Sequence, residues 1–111
     1  STGLKLSKKL LDLKEPPTAI ICSLDKYFIG CLQECQKRGL VLSKDISVVG
    51  YNDHDNYLSS QNLTFISHPL TEMGKMAVKM LEKMDKGEKP ENLTQLIEPI
   101  LHKGKSDGRL T

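Results

Sequence analysis

Three short stretches carry side chains that could do chemistry. Asp53-His54-Asp55 sets two carboxylates around an imidazole, the material of acid–base catalysis or of a metal site. The run has neither the Gly nor the distant Glu of a calcium-binding loop, and it is not a zinc set. Residues so close in sequence do not readily converge on one substrate atom, and no activated nucleophile accompanies them. These points favour a solvated loop over a hydrolase built on Asp53, His54 and Asp55. Cys31 and Cys35 stand one helical turn apart but lack two further ligands at zinc spacing, which leaves packed thiols. No catalytic residue, metal or cofactor is expected. The third stretch, Tyr51-Asn52-Asp53, follows the β-rich run Ile46–Val49 and Gly50. An amide can donate and accept and a carboxylate accepts, so Asn52 and Asp53 could hold adjacent hydroxyls of a ligand. Both residue types also shape turns.

The elements that must position these residues follow from periodicity. Leu6, Leu10 and Leu13 fall at i, i+4 and i+7, which predicts a helix over 4–14 ended by Pro16-Pro17. Thr18–Ser23 is a continuous apolar run of strand length, the pattern of a strand covered on both faces. Asp25 can cap a helix over 26–38 on which Phe28, Ile29, Leu32 and Cys35 share a broad face. Gly39 sits where a left-handed C-terminal cap is needed. The strand over 46–50 completes a right-handed strand–helix–strand unit, with Gly50 letting the chain turn. In an open parallel sheet, ligands bind at the carboxyl ends of strands, where Ser23–Asp25 and Tyr51–Asp53 fall. A long polar loop over 51–62 follows, then a strand over 63–67, a helix over 70–86 and a last strand over 95–101. Tyr27, Tyr51 and Tyr57 could stack on a sugar ring or pack as half-buried residues. His68 and His102 have no evident partner in sequence.

Size and composition narrow the classes. A chain of 111 residues is one domain or a piece of one, and 38% hydrophobic content, clustered as it is, allows a packed core. Aromatic content of 5% without Trp argues against a stacking platform for single-stranded nucleic acid. A net charge of +2 with scattered basic residues does not suggest DNA binding by this chain alone. No apolar run reaches transmembrane length and no signal-peptide pattern opens the chain, so no membrane association is expected. The start, Ser1-Thr2-Gly3, reads as that of a fragment or a processed product. Three cysteines, Cys22, Cys31 and Cys35, without a secretion signal suggest reduced thiols in a cytoplasm. In that setting the Asn-Leu-Thr runs at Asn62 and Asn92 are chance glycosylation patterns.

Read in order, several runs resemble the LacI/GalR family of bacterial transcription regulators. They are Pro17-Thr18-Ala19-Ile20-Ile21-Cys22, Asp25, Gly30, Arg38-Gly39-Leu40, Asp45-Ile46-Ser47-Val48-Val49-Gly50-Tyr51-Asn52-Asp53, Leu63-Thr64, Pro69 and Met73-Gly74. The resemblance is collinear from about Pro17 to Gly74, weakens towards Ser106, and is most specific over 39–53.

The resemblance implies an α/β chain with a partial parallel sheet flanked by helices, a fragment of the two-lobed periplasmic-binding-protein-like (type I) fold. Residues 1–67 and 95–111 would belong to the second lobe, and 68–94 would form an excursion packing on the first. It implies the C-terminal part of an effector-binding core that senses a small molecule, usually a sugar, sugar phosphate or purine, with a sugar or sugar phosphate expected here. Operator DNA would be contacted only through an N-terminal head, and the protein would be a cytoplasmic homodimer. The resemblance implies that the position of Asn52 takes part in effector binding; Asp53, Tyr51 and Asp25 are further ligand-binding candidates, Asp25 more as a helix cap, and Leu24 stands where the family commonly has Asn. Phe28, Cys31, Leu32 and Cys35 are candidates for the subunit interface, or for burial within their own chain. A secreted sugar-binding protein of related fold is the alternative.

Overall fold

The computed structural model describes residues 1–51, 61–89 and 94–109. Two compact units emerge, Ser1–Ser67 with Leu101–Thr111, and His68–Ile100. The first contains helix α1 (Thr2–Leu11), strand β1 (Ala19–Cys22), helix α2 (Asp25–Lys37), strand β2 (Ser47–Tyr51) and strand β3 (Phe65–Ser67). Helix α3 (Leu70–Asp85) forms most of the second, and strand β4 (Ile100–His102) ends it and re-enters the first. The strands form one sheet in the order β1-β2-β3-β4. β1 runs parallel to β2, with Ala19 opposite Ser47 and Cys22 opposite Gly50, and β2 runs parallel to β3, with Tyr51 opposite Ile66.

The expected parallel α/β arrangement is therefore present, with shorter elements. The predicted strand over 95–101 becomes Ile100–His102. Arg38 closes α2, and Gly39 carries the chain out of it at φ 70°, where a Cβ would be strained. Leu40 N–H then donates back to Cys35 O at 2.9 Å.

The core of the first unit is Ile20, Cys22, Phe28, Cys31, Cys35, Ile46, Val48 and Phe65. Gly50 plays a different part from the turn expected of it. It lies inside β2, and a Cβ built there would fall 2.1 Å from the Phe28 ring. The missing side chain makes the slot that this ring fills. Another close approach joins the helices: a Cβ on Gly30 would fall 2.7 Å from the backbone of Gly3 and Leu4. α1 thus meets α2 through small residues, with Gly3 and Ser7 buried. Arg38 ties the far ends together, donating to Asp12 at 2.8 Å and to the buried Glu34 at 2.9 Å. Those two carboxylates raise the Arg38 pKa, Asp12 contributing more.

Two expectations about burial fail for one physical reason. The Leu6, Leu10 and Leu13 stripe stays exposed, because the close crossing turns the small face of α1 towards α2. β1 is covered on one face only: Ile20 and Cys22 are buried, while Ile21 is 71% exposed. A parallel sheet normally has both faces covered. The described helices of this unit cover one.

The C-terminal segment locks the amino ends of β2 and β3. Val48 N–H donates to Ser106 O at 2.8 Å, and the Ser106 hydroxyl donates to Val48 O at 2.6 Å. Thr64 N–H donates to that same hydroxyl at 2.8 Å. Nearby, Lys103 and the Thr64 hydroxyl both donate to Asp107 and hold its carboxyl below the usual range, Lys103 more strongly. A depressed carboxyl stabilises the fold above its unfolded pKa and loses that effect as pH falls through the folded value.

Two outcomes follow from this packing. Gly50→Ala should destabilise by about 1–3 kcal/mol, since the added carbon overpacks the Phe28 slot. Gly74→Ala in α3, where a Cβ meets nothing within 4 Å, should instead gain about 0.4–1 kcal/mol of helix stability. Urea unfolding followed by circular dichroism reads both, and equal signs would contradict the slot. Ser106→Ala leaves the buried Thr64 N–H without its acceptor and should cost about 1–3 kcal/mol in the same assay.

Candidate functional site

The register fixes where the candidate site lies. Cys22, the last residue of β1, pairs with Gly50, so Ser23 leaves the sheet beside Tyr51, the last residue of β2. Neighbouring strands sit about 4.8 Å apart, which sets the spacing of these two exits. Leu24 then takes the N-cap position of α2, extended at φ −135° and ψ 150°, with no side-chain cap bond. Its carbonyl accepts from Tyr27 N–H at 3.1 Å and Phe28 N–H at 3.0 Å, which starts the helix.

Asp25 is therefore not the N-cap. It is the first helical residue, and its Oδ1 accepts from Lys26 N–H at 2.8 Å. The carboxylate is exposed at the positive end of the helix, where negative charge is favoured. Leu24 is 46% exposed beside it, an apolar surface next to an acceptor. Tyr51 closes β2 half-buried, and Tyr27 is half-buried against the core with Lys26 Nζ 5.6 Å from its ring centroid. Asn52, Asp53, His54, Asp55 and Tyr57 lie outside the described residues. Chemically, the described rim of Ser23, Leu24, Asp25 and Tyr51 can accept hydrogen bonds from hydroxyls beside an apolar contact.

The interface candidates divide by burial. Phe28, Cys31 and Cys35 are at most 1% exposed and fill this chain's own core, with Cys35 also at the floor of a groove. Their positions follow from the Gly50 slot and from the close α1–α2 crossing, which draw this side of α2 inward. Leu32 is half-buried on the outer side, next to the exposed Ile29. Both border this groove of about 500 Å³, which also meets Gln33, Gln36, Leu40 and Leu63. The face expected to be shared by Phe28, Ile29, Leu32 and Cys35 is thus split between core and groove.

The three thiols are free and buried. Cys22, Cys35 and Ser7 all hydrogen-bond to Cys31 and draw its pKa down, Cys22 most, against desolvation. The Cys31 thiol, and after it burial, raises Cys22 and Cys35. Among the described residues, no group of three His, Cys, Asp or Glu side chains is arranged to hold a metal ion.

Sequence reasoning missed a pairing at His102. Its ring stacks on Phe65 with centroids 4.4 Å apart and planes 10° apart. Its Nε2 lies 2.7 Å from Ser67 Oγ, in a hydrogen bond whose donor depends on the imidazole tautomer. The partners are 35 residues apart in sequence, so no local pattern could announce them.

Residues 2–106 match the family described as "Periplasmic binding protein-like domain". The chain is 35% identical over 80 residues to the HTH-type transcriptional repressor CytR of Escherichia coli, covering 71% of this chain and 24% of that protein. It is 35% identical over 94 residues to the ribose operon repressor of Haemophilus influenzae, covering 83% and 28%. Among solved structures, a dimeric Lac repressor with a C-terminal deletion superposes with a TM-score of 0.83 at 26% identity, covering 98% of this chain and 40% of that one. The chain spans about a quarter of the length of these curated relatives. It belongs to the periplasmic binding protein-like domain family, as a fragment of the effector-binding core of LacI/GalR-type regulators.

Proposed function

We propose that in the complete protein this chain forms one wall of a cleft that binds a small-molecule effector of the sugar or sugar phosphate class. The observation that carries this reading is the pairing of Cys22 with Gly50 at the carboxyl end of β1, which sets Ser23–Asp25 next to Tyr51 and the chain leading to Asn52. Asn52 and Asp53 extend the same rim in sequence, and with Asp25 and Tyr51 they are the proposed ligand contacts. Leu24 adds an apolar contact that suits the carbon face of a sugar ring. Effector binding shifts operator affinity through a DNA-binding head elsewhere in the protein, a coupling typically of about 1–3 kcal/mol. Relatives named as repressors support a sensor in the cytoplasm over a catalyst.

The protein acts as a homodimer, a reading supported by its likeness to a Lac repressor that is itself dimeric. Leu32 and Ile29, at the apolar groove on the outer side of α2, are its proposed contact. Helix α3 is proposed to pack on the first lobe: it has no buried residue, and Leu70, Met73, Val78, Leu81 and Met84 are all exposed. Covering each large apolar side chain is worth about 1.5–3 kcal/mol, enough to drive association.

A thermal-shift panel of D-ribose, L-arabinose and D-ribose 5-phosphate on the complete protein tests the effector class. At least one compound should raise Tm, and Asn52→Ala should weaken its binding about tenfold or more, the loss of a hydrogen bond or two. Unchanged affinity in Asn52→Ala would remove that residue from the site. The 111-residue chain alone should self-associate in sedimentation velocity at micromolar concentration, and Leu81→Glu should shift it towards monomer. A monomer at all concentrations would refute the proposed role of α3.

A further inference from the structure

The chain leaves the first unit after Ser67 and returns to it at Leu101. The side chains beside these passages are tied together. Ser67 Oγ is 2.7 Å from His102 Nε2, and the His102 ring lies flat on Phe65, which is fully buried. Ser67 is itself buried at 5% exposure, so its hydroxyl is placed by the core and not by solvent. β3 and β4 are each three residues long, the short end for strands, so few backbone bonds join them. The ring anchors β4 to the Phe65 layer, and the hydrogen bond fixes its position along β3.

We propose that Ser67 and His102 form a latch that makes the outgoing and returning passages of the chain open and close as one body. In a sensor whose lobes move, such a latch would carry a displacement into the sheet through both strands at once. That use rests on the sensor reading above, whereas the latch itself does not. Both are positioning residues and touch no effector.

Amide hydrogen exchange on the 111-residue chain tests the latch without any effector, so its failure is separate from a failure of the sensor reading. In the unaltered chain, peptides covering 64–67 and 100–103 should exchange at matched rates. Ser67→Ala, and His102→Phe, which keeps a ring on Phe65 but loses the hydrogen bond, should each speed exchange over 100–103 about tenfold. Exchange over 19–22 and 47–50 should stay unchanged, and Ser67→Thr should restore protection. The double variant should be no worse than either single one, since both break the same bond. Unchanged exchange over 100–103 in both single variants would overturn the proposal. So would equal acceleration of all strands, which would mean that the bond merely adds to global stability.

Discussion

The Phe28 ring occupies the volume that a side chain on Gly50 would need, and the first unit is arranged around that exchange. Filling the slot pins α2 across β2, and β2 pairs with both β1 and β3. The inner side of α2 is then set: Phe28, Cys31, Glu34 and Cys35 turn inward, while Ile29 is left outside. Because native interiors are packed at crystal-like density, a slot of this kind admits one placement of the helix.

From that placement the candidate site follows. α2 begins at Asp25 directly after β1, so its exposed first turn stands at the carboxyl edge of the sheet. The paired ends of β1 and β2 bring Tyr51 to the same edge. No residue there needs an unusual chemical state. What the fold supplies is adjacency between an acceptor carboxylate, an apolar surface and the chain leading to Asn52. The proposed sensing role requires no activated group, which agrees with the likeness to repressors.

The same packing leaves surfaces bare. The small faces of α1 and α2 approach so closely that the leucine stripe of α1 points away from the core. Ile21 is open on the uncovered face of β1, and α3 buries none of its residues.

The sequence by itself determined the class of fold and the order of its elements. Local signals were sufficient there: the apolar runs over 18–23 and 46–50, the pattern over 70–86, and Gly39 at a helix end. It also marked the carboxyl edge of the sheet as the candidate ligand edge, since that depends on strand direction and not on packing detail. It did not determine which apolar residues are inside. Periodicity marks Leu6, Leu10 and Leu13 as a face, but the neighbour that a face meets is set by distant residues such as Gly30. Gly50 read as a turn because local rules reserve glycine for turns, whereas its role comes from a ring 22 residues earlier in the chain. Asp25 read as a cap for the same local reason, whereas it is the first helical residue and Leu24 takes the N-cap position. Only tertiary structure joined Ser67, Phe65 and His102, because contacts between strands 35 residues apart leave no periodic trace in the chain.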